Sequence, residues 1–467
     1  MKSICITFFL FLLPLSMIAR ERPNLIVIMT DDMGYNDVGF NGCKEIPTPG
    51  IDSIAKNGVK FTNGYTSYSV CGPSRAGFMT GRYQQRFGFE RNPQWNITDP
   101  NSALPKSEMT IAESLKQVGY HCGIIGKWHL GAEPSLRPNE RGFDEFFGHL
   151  GGGHRYFPED LIIKNTEDVK GETDSYISWI TRNDTPVKTT KYLTDEFSDE
   201  AVSFIKRNHS KPFFLFLSYN APHLPLQASQ KYLDRFPNIK DQKRKTYAAM
   251  VSAVDDGVMQ VIQSLKDFGI EDNTIVFFLS DNGGASHKNK ADNFPLKGKK
   301  SDVWEGGFRV PFAMQYTGAV KGNQDFEHPV TSLDIFATIS ALANSPINPG
   351  KKLDGVNLIP YVTGDNKQAP HSEIFIRKFD QSRYVVRQGD YKLIIPFKGA
   401  KPHLYNLATD IGENNNIAAQ HPERVKELDK LRKAWESELM DPVFLGLMQL
   451  ESRQAKKSKQ NAKTAEK

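Results

Sequence analysis

The chain has 467 residues, 39% of them apolar, which is enough to build one large α/β domain and a smaller second one. A mean hydropathy of −0.48 with 24% charged residues excludes an integral membrane protein, and 30 Phe with 16 Tyr exclude wholesale disorder. The net charge of +5 resides at the ends, in Lys2 and in the stretch 451–467 with its six basic and two acidic residues; the body is close to neutral, so no basic groove for nucleic acid is expected.

At the N-terminus, Lys2 precedes an apolar run over residues 4–18, followed by Ala19 and a charged start at Arg20. This reads as a secretory signal peptide, residues 1–19, too short and too interrupted by Pro14 to act as a stable membrane anchor. A periplasmic or secreted protein is expected. Cys5 would leave with the signal, and Cys43, Cys71 and Cys122 make no disulfide scaffold.

Four short apolar runs follow, each ending in charged or coordinating groups. Residues 24–29 end at Thr30-Asp31-Asp32, and 123–125 at Gly126-Lys127-Trp128-His129. Residues 213–217 lead to Ser218 and on to His223, and 274–279 to Ser280-Asp281-Asn282. Nearly unbroken apolar strands suit a sheet buried on both faces, and in open parallel sheets ligands bind beyond the carboxyl ends of the strands. From 246 to 266, Met250, Val254, Val258, Val261, Ile262 and Leu265 recur at helical spacing, with Gly269 as a stop. The expected fold class is α/β: a mostly parallel central sheet with helices on both faces, over residues 20–345. After a Pro/Gly/Lys connector at 344–352, strands at 373–376, 383–387 and 391–396 and an amphipathic stretch at 422–439 predict a smaller C-terminal α+β subdomain with an antiparallel sheet, residues 346–445. Residues 446–467 read as a basic, disordered tail.

The segment Cys71-Gly72-Pro73-Ser74-Arg75 carries the most chemistry. Pro73 suits the first turn of a helix, where a missing N–H leaves no bond unmade. Cys71 would then stand at a helix N-terminus, where the dipole and free N–H groups favour an anion. A lone Cys is more often simply buried; here its neighbours point elsewhere. With them the chain resembles the type I sulfatase family of the alkaline phosphatase superfamily, in which Cys-x-Pro-Ser-Arg signals oxidation of the cysteine to formylglycine. The likeness extends to Asp31-Asp32-Met33-Gly34-Tyr35, Gly126-Lys127-Trp128-His129-Leu130-Gly131, Ala221-Pro222-His223, Ser280-Asp281-Asn282-Gly283 and Glu305-Gly306-Gly307-Phe308-Arg309. Their co-occurrence in order is far more specific than any one of them.

The resemblance implies an alkaline phosphatase-like fold and modification of Cys71 by a formylglycine-generating or sulfatase-maturating enzyme. An aldehyde hydrate has two hydroxyls, one to attack sulfur and one to expel the sulfate afterwards. Asp31, Asp32, Asp281 and Asn282 match the family's metal ligands, completed by the modified Cys71. Oxygen donors select a hard cation, Ca²⁺ in preference to Mg²⁺. In isolation Asp31-Asp32 suits a solvated turn or helix cap equally well. Lys127 would pair with a sulfate oxygen, His129 would assist removal of the hydrate proton, His223 would protonate the leaving alcohol, and Arg75 would lie beside hydrate and metal. Lys300, five residues before Glu305, fits the spacing of the family's sulfate-binding lysine, although Lys297-Gly298-Lys299-Lys300-Ser301 replaces the commoner Arg-Gly-Gly-Lys-Gly.

Specificity is less legible. Gly151-Gly152-Gly153-His154-Arg155-Tyr156 offers His154 and Arg155 as contacts for an acidic sugar, but it equally suits a structural Gly-rich turn. The resemblance is greatest to exported bacterial sulfatases acting on algal polysaccharides such as ulvan or carrageenan, which makes a sulfated poly- or oligosaccharide the expected partner. The rival readings are a phosphomonoesterase or phosphonate hydrolase of the same superfamily, and a carbohydrate-binding protein without catalysis.

Overall fold

A computed structural model describes residues 22–449; the expected signal peptide and nearly all of the basic tail lie outside them. Ten strands form the main sheet: β1 (Asn24–Thr30), β2 (Val59–Phe61), β3 (His121–Lys127), β4 (Glu145–His149), β5 (Ile180–Arg182), β6 (Thr185–Val187), β7 (Phe213–Ser218), β8 (Thr274–Ser280), β9 (Phe312–Gln315) and β10 (Gln324–Phe326). Their spatial order is β10-β2-β9-β8-β1-β7-β3-β4-β5-β6. The five strands from β8 to β4 run parallel, while β9 pairs antiparallel with β8 and β5 antiparallel with β4.

Every residue of β1, β7 and β8 is buried, because the alternation of a strand feeds two cores. Leu25, Val27 and Met29 enter one, with Phe214, Phe216, Ile275 and Phe277. Ile26 and Ile28 enter the other, with Leu215, Leu217, Val276 and Phe278. The first core is roofed by α2 (Cys71–Thr80), α3 (Ile111–Lys116) and α6 (Asp334–Ala343), and the second by α1 (Pro49–Lys56), α4 (Leu193–Asn208) and α5 (Gln242–Asp267). The parallel register aligns the carboxyl ends: Thr30 faces Ser280, Met29 faces Ser218, and Gly126 faces Ser218 from the other side.

The C-terminal part is a four-stranded antiparallel meander, β11 (Glu373–Lys378), β12 (Arg383–Gln388), β13 (Tyr391–Ile395) and β14 (His403–Asn406). Helix α7 (Pro422–Glu436) lays Leu428 on Val386, Leu393 and Leu404, and its Trp435 stacks on Phe375 with ring centroids 4.9 Å apart. The meander also covers Tyr65, Tyr68 and Phe308 of the larger unit. Within the stretch expected as tail, the Leu447 N–H donates to the Asn92 carbonyl at 3.3 Å. Cys43, Cys71 and Cys122 are free thiols, and no helix among the described residues is long and apolar enough to cross a membrane.

Candidate active site

The aligned strand ends bring the sequence-selected groups together. Asp31 and Asp281 leave β1 and β8 side by side, the Asp281 N–H donating to the Thr30 carbonyl at 2.9 Å. Asp32 turns back in the left-handed region (φ 65°), which Asp tolerates better than most residues. Its N–H lies 3.3 Å from Asp281 Oδ1, and its Oδ1 accepts from Asn282 Nδ2 at 2.7 Å. Helix α2 points its N-terminus at this group. Val70 caps it in extended conformation, Cys71 is its first residue and Pro73 lies within the first turn, whose N–H groups have no helical partner. All ten residues of α2 are buried, so the helix is held by packing on both sides.

Cys71 Sγ lies 3.4 Å from Asp31 Oδ1 and 3.1 Å from Lys300 Nζ. Lys127 Nζ is 2.6 Å from Asp31 Oδ2, Lys300 Nζ is 2.7 Å from Asp32 Oδ1, and Arg75 Nε donates to Asp281 Oδ2 at 2.9 Å. Three buried carboxylates thus face three cations. Burial pushes the Asp31 carboxyl up, but Lys127, His223, Lys300 and Arg75 together outweigh it and hold it well below the usual range. At Asp281 burial and the neighbouring Asp31 prevail over Arg75, and the group is pushed up to about 6. Burial, with Asp281 and Asp31, pushes the Cys71 thiol upward.

The donor set fits a hard cation. Ligand atoms of Asp31, Asp32, Cys71 and Asp281 all lie within 4.8 Å of one another, and the buried Asn282 Oδ1 beside them has no hydrogen-bond partner. A cation is the one partner that an amide oxygen and several carboxylates can share.

Arg75 is fixed by more than Asp281: its Nη1 donates to Ser218 Oγ at 2.6 Å and to the Lys127 carbonyl at 3.2 Å. Ser218, at the tip of β7, was marked by the strand pattern, but nothing in sequence gave it this task. His129 follows β3 in left-handed conformation (φ 59°), with Nδ1 buried and unpartnered; burial, Lys127 and Arg75 hold its pKa well down. His223 pairs Nδ1 with the Leu224 carbonyl at 2.8 Å, leaving Nε2 3.7 Å from Asp32 Oδ2. Lys299 is turned away from the cluster, 3.6 Å from Asp302.

Cys71, Asp32, His129, His223 and Lys300 form the floor of a cleft of about 520 Å³. His154 and Arg155 do not line it. His154 is fully buried with Nδ1 and Nε2 each 2.8 Å from a backbone carbonyl, of Arg155 and Ser178, and Arg155 extends toward Asp160. A substrate contact through His154 is therefore corrected to an internal brace. The adjoining glycines have a steric role: a Cβ at Gly153 would lie 2.4 Å from the Tyr176 ring. Glu172 and Tyr176, which do line the cleft, carried no sequence signal.

A parallel sheet with acids, a buried cysteine and cations at its strand tips defines an α/β protein with a metal- and anion-competent site beyond the carboxyl ends of its strands. The Sulfatase family profile matches residues 23–345, and the profile "N-sulphoglucosamine sulphohydrolase, C-terminal" matches 299–439. The chain belongs to the type I sulfatase family and is a sulfuric ester hydrolase. It is 30% identical to the uncharacterized sulfatase YdeN of Escherichia coli K12, over 88% of this chain and 84% of that one. It is 33% identical to human N-acetylgalactosamine-6-sulfatase, over 73% of this chain and 66% of that one. Among solved structures, Ps i-CgsB in complex with k-i-k-neocarrahexaose superposes with a TM-score of 0.84 at 38% identity, covering 90% of this chain and 94% of that one.

Proposed function

We propose that the protein releases inorganic sulfate from a sulfated carbohydrate, of carrageenan type in preference to ulvan, after export and after conversion of Cys71 to formylglycine by a maturating enzyme. The observation that carries this reading is Cys71 Sγ at the N-terminus of buried α2, between the Asp31 carboxylate and the Lys300 ammonium. The likeness to a neocarrahexaose-bound structure supports the substrate class.

An unmodified thiol pushed upward by burial and two carboxylates is a poor nucleophile at neutral pH. Formylglycine would supply the hydrate hydroxyls for attack on sulfur and for sulfate expulsion, and Ca²⁺ held by Asp31, Asp32, Asp281 and Asn282 would add positive charge at the ester. The remaining work falls to side chains. Lys300 presents its ammonium at the cleft floor and Lys127 stands fully buried behind Asp31; both are fixed in advance by Asp32 and Asp31, so sulfate binding requires little reorganisation. Arg75, held by Asp281, Ser218 and the Lys127 carbonyl, adds a third fixed cation. His223 donates Nδ1–H to the Leu224 carbonyl, so Nε2 is its free nitrogen. Burial holds its pKa down, and Nε2 would first have to take up a proton before passing it to the leaving alcohol, while His129, kept neutral by burial, Lys127 and Arg75, would accept one.

Mass spectrometry of the Cys71 peptide from protein matured in a competent host, paired with an assay of sulfate release from sulfated neocarra-oligosaccharides, tests the proposal. An aldehyde at residue 71 with sulfate release is expected. An unmodified thiol in active protein, or phosphate release without sulfate release, would overturn it.

A further inference from the structure

Beyond its floor, the cleft is lined by several charged groups. Among them are His287 and Lys288, from the short helix Ser286–Asn289, together with Lys299 and Asp302. Glu172 and Tyr176 also line the cleft, but the Glu172 carboxyl is turned inward: Oε1 accepts from the Gly152 N–H at 2.9 Å, Oε2 is buried, and burial pushes the group up. Among Lys288, Lys299 and Asp302 two ammoniums stand against one carboxylate. Asp302 approaches Lys299 at 3.6 Å, while Lys288 has no ion-pair partner among the described residues. These cations are close enough to act on one another: protonation of His287 is disfavoured by burial and then by Lys299 and Lys288. None of them enters the floor where Lys300 meets Cys71.

We infer that Lys288 and Lys299 form a second anion subsite, which takes a sulfate that is not cleaved, on a sugar next to the one being desulfated. The inference rests on the functional reading above and deepens it by assigning the substrate its charge pattern. A monoester bound at the floor occupies the cations there through its own sulfate. An additional sulfate on the adjoining sugar meets attraction toward Lys288 and Lys299, which line the same cleft. The near-neutral body of the protein makes this local pair of cations effective, since no broad surface field competes with it. Exposed charge pairs are individually weak, so the subsite acts on binding and orientation and not on the sulfur chemistry.

The test compares the mature enzyme with the double variant Lys288→Gln/Lys299→Gln on two neocarra-oligosaccharides of equal length. One carries only the ester that is cleaved; the other carries a further sulfate on the adjoining sugar. The variant is expected to raise KM for the multiply sulfated compound about threefold to tenfold with kcat unchanged. KM for the monosulfated compound should stay constant, and added salt should shrink the difference. A single charge-restoring variant, Lys288→Arg, should behave as the parent. Equal shifts on both compounds would mean a general field, and no shift on either would mean no subsite; both overturn the inference. Failure of the parent to release sulfate from either compound would instead refute the functional reading, and the inference would fall with it.

Discussion

Lys300 Nζ lies 3.1 Å from Cys71 Sγ, although 229 residues separate them in the chain. The same ammonium is paired with Asp32, so its position is set before any substrate arrives. Its neighbour Lys299 points out of the cluster toward Asp302. Lys300→Ala is therefore expected to lower kcat/KM for sulfate release by roughly 10²–10³, the usual loss when a fixed donor to a developing anion is removed. Lys299→Ala should leave kcat unchanged. Steady-state kinetics of both variants on one sulfated oligosaccharide decide the matter, and equal losses would remove Lys300 from the proposed sulfate site.

Three carboxylates and the unpartnered Asn282 Oδ1 within a few ångströms predict a response to chelation. EGTA should abolish sulfate release and lower the melting temperature, and Ca²⁺ should restore both more fully than Mg²⁺, because the donors are all oxygen and lie on loops that tolerate a larger shell. At a hundredfold excess over its Kd the ion should add about 2.7 kcal/mol of stability. Melting curves and activity that ignore both chelator and Ca²⁺ would argue that the carboxylates are balanced by Lys127, Lys300 and Arg75 alone.

Much of this centre is legible in sequence because its groups follow strands that need to be apolar. Residues 24–30 and 274–280 are buried on both faces, so their composition announces them, and Asp31 and Asp281 stand at the first positions where water or a ligand can be met. The helical run in 246–266 is equally plain and extends to Gln242–Asp267. Strands β2, β9 and β10 are three or four residues long, too short for alternation to separate them from loops. His154 misleads for a different reason. Its burial depends on the carbonyl of Ser178, 24 residues on, and local sequence carries no trace of that contact. Glu172 and Tyr176 reach the cleft on the same return of the chain.

The joint between the two units is a second place where distant charges meet. Lys392 of β13 is fully buried, 2.8 Å from Glu305 Oε1 and 2.7 Å from Glu413 Oε1. Burial pushes the Glu305 carboxyl up, but Lys392, Arg309 and Arg387 outweigh it and bring it down to about 2. Lys392→Met would leave two buried carboxylates sharing too little positive charge, at a cost of about 3–5 kcal/mol. Urea unfolding should show this as a large drop in midpoint. A variant as stable as the parent would mean that Arg309 and Arg387 suffice.

Asp255 offers a pH-dependent stability signal remote from the cleft. It lies on α5, 2% exposed, and accepts from the Ile51 N–H at 2.7 Å and the Gly50 N–H at 3.2 Å in the first turn of α1. Burial, helped by Asp52 and Asp256 and opposed by those two N–H groups, pushes its carboxyl up to about 7. The folded state then holds a proton that the unfolded chain releases near pH 4, so this group's contribution is fully present below about pH 4 and is lost as pH rises through 7. Asp255→Asn cannot ionise. It gives up one acceptor at every pH, but relative to the parent it should gain stability between pH 4 and 8, by at most about 4 kcal/mol. Denaturant unfolding of both proteins across that range reads the difference directly. A constant offset would mean that the two N–H donors keep Asp255 ionised in the folded protein and that burial there is satisfied by the helix terminus alone.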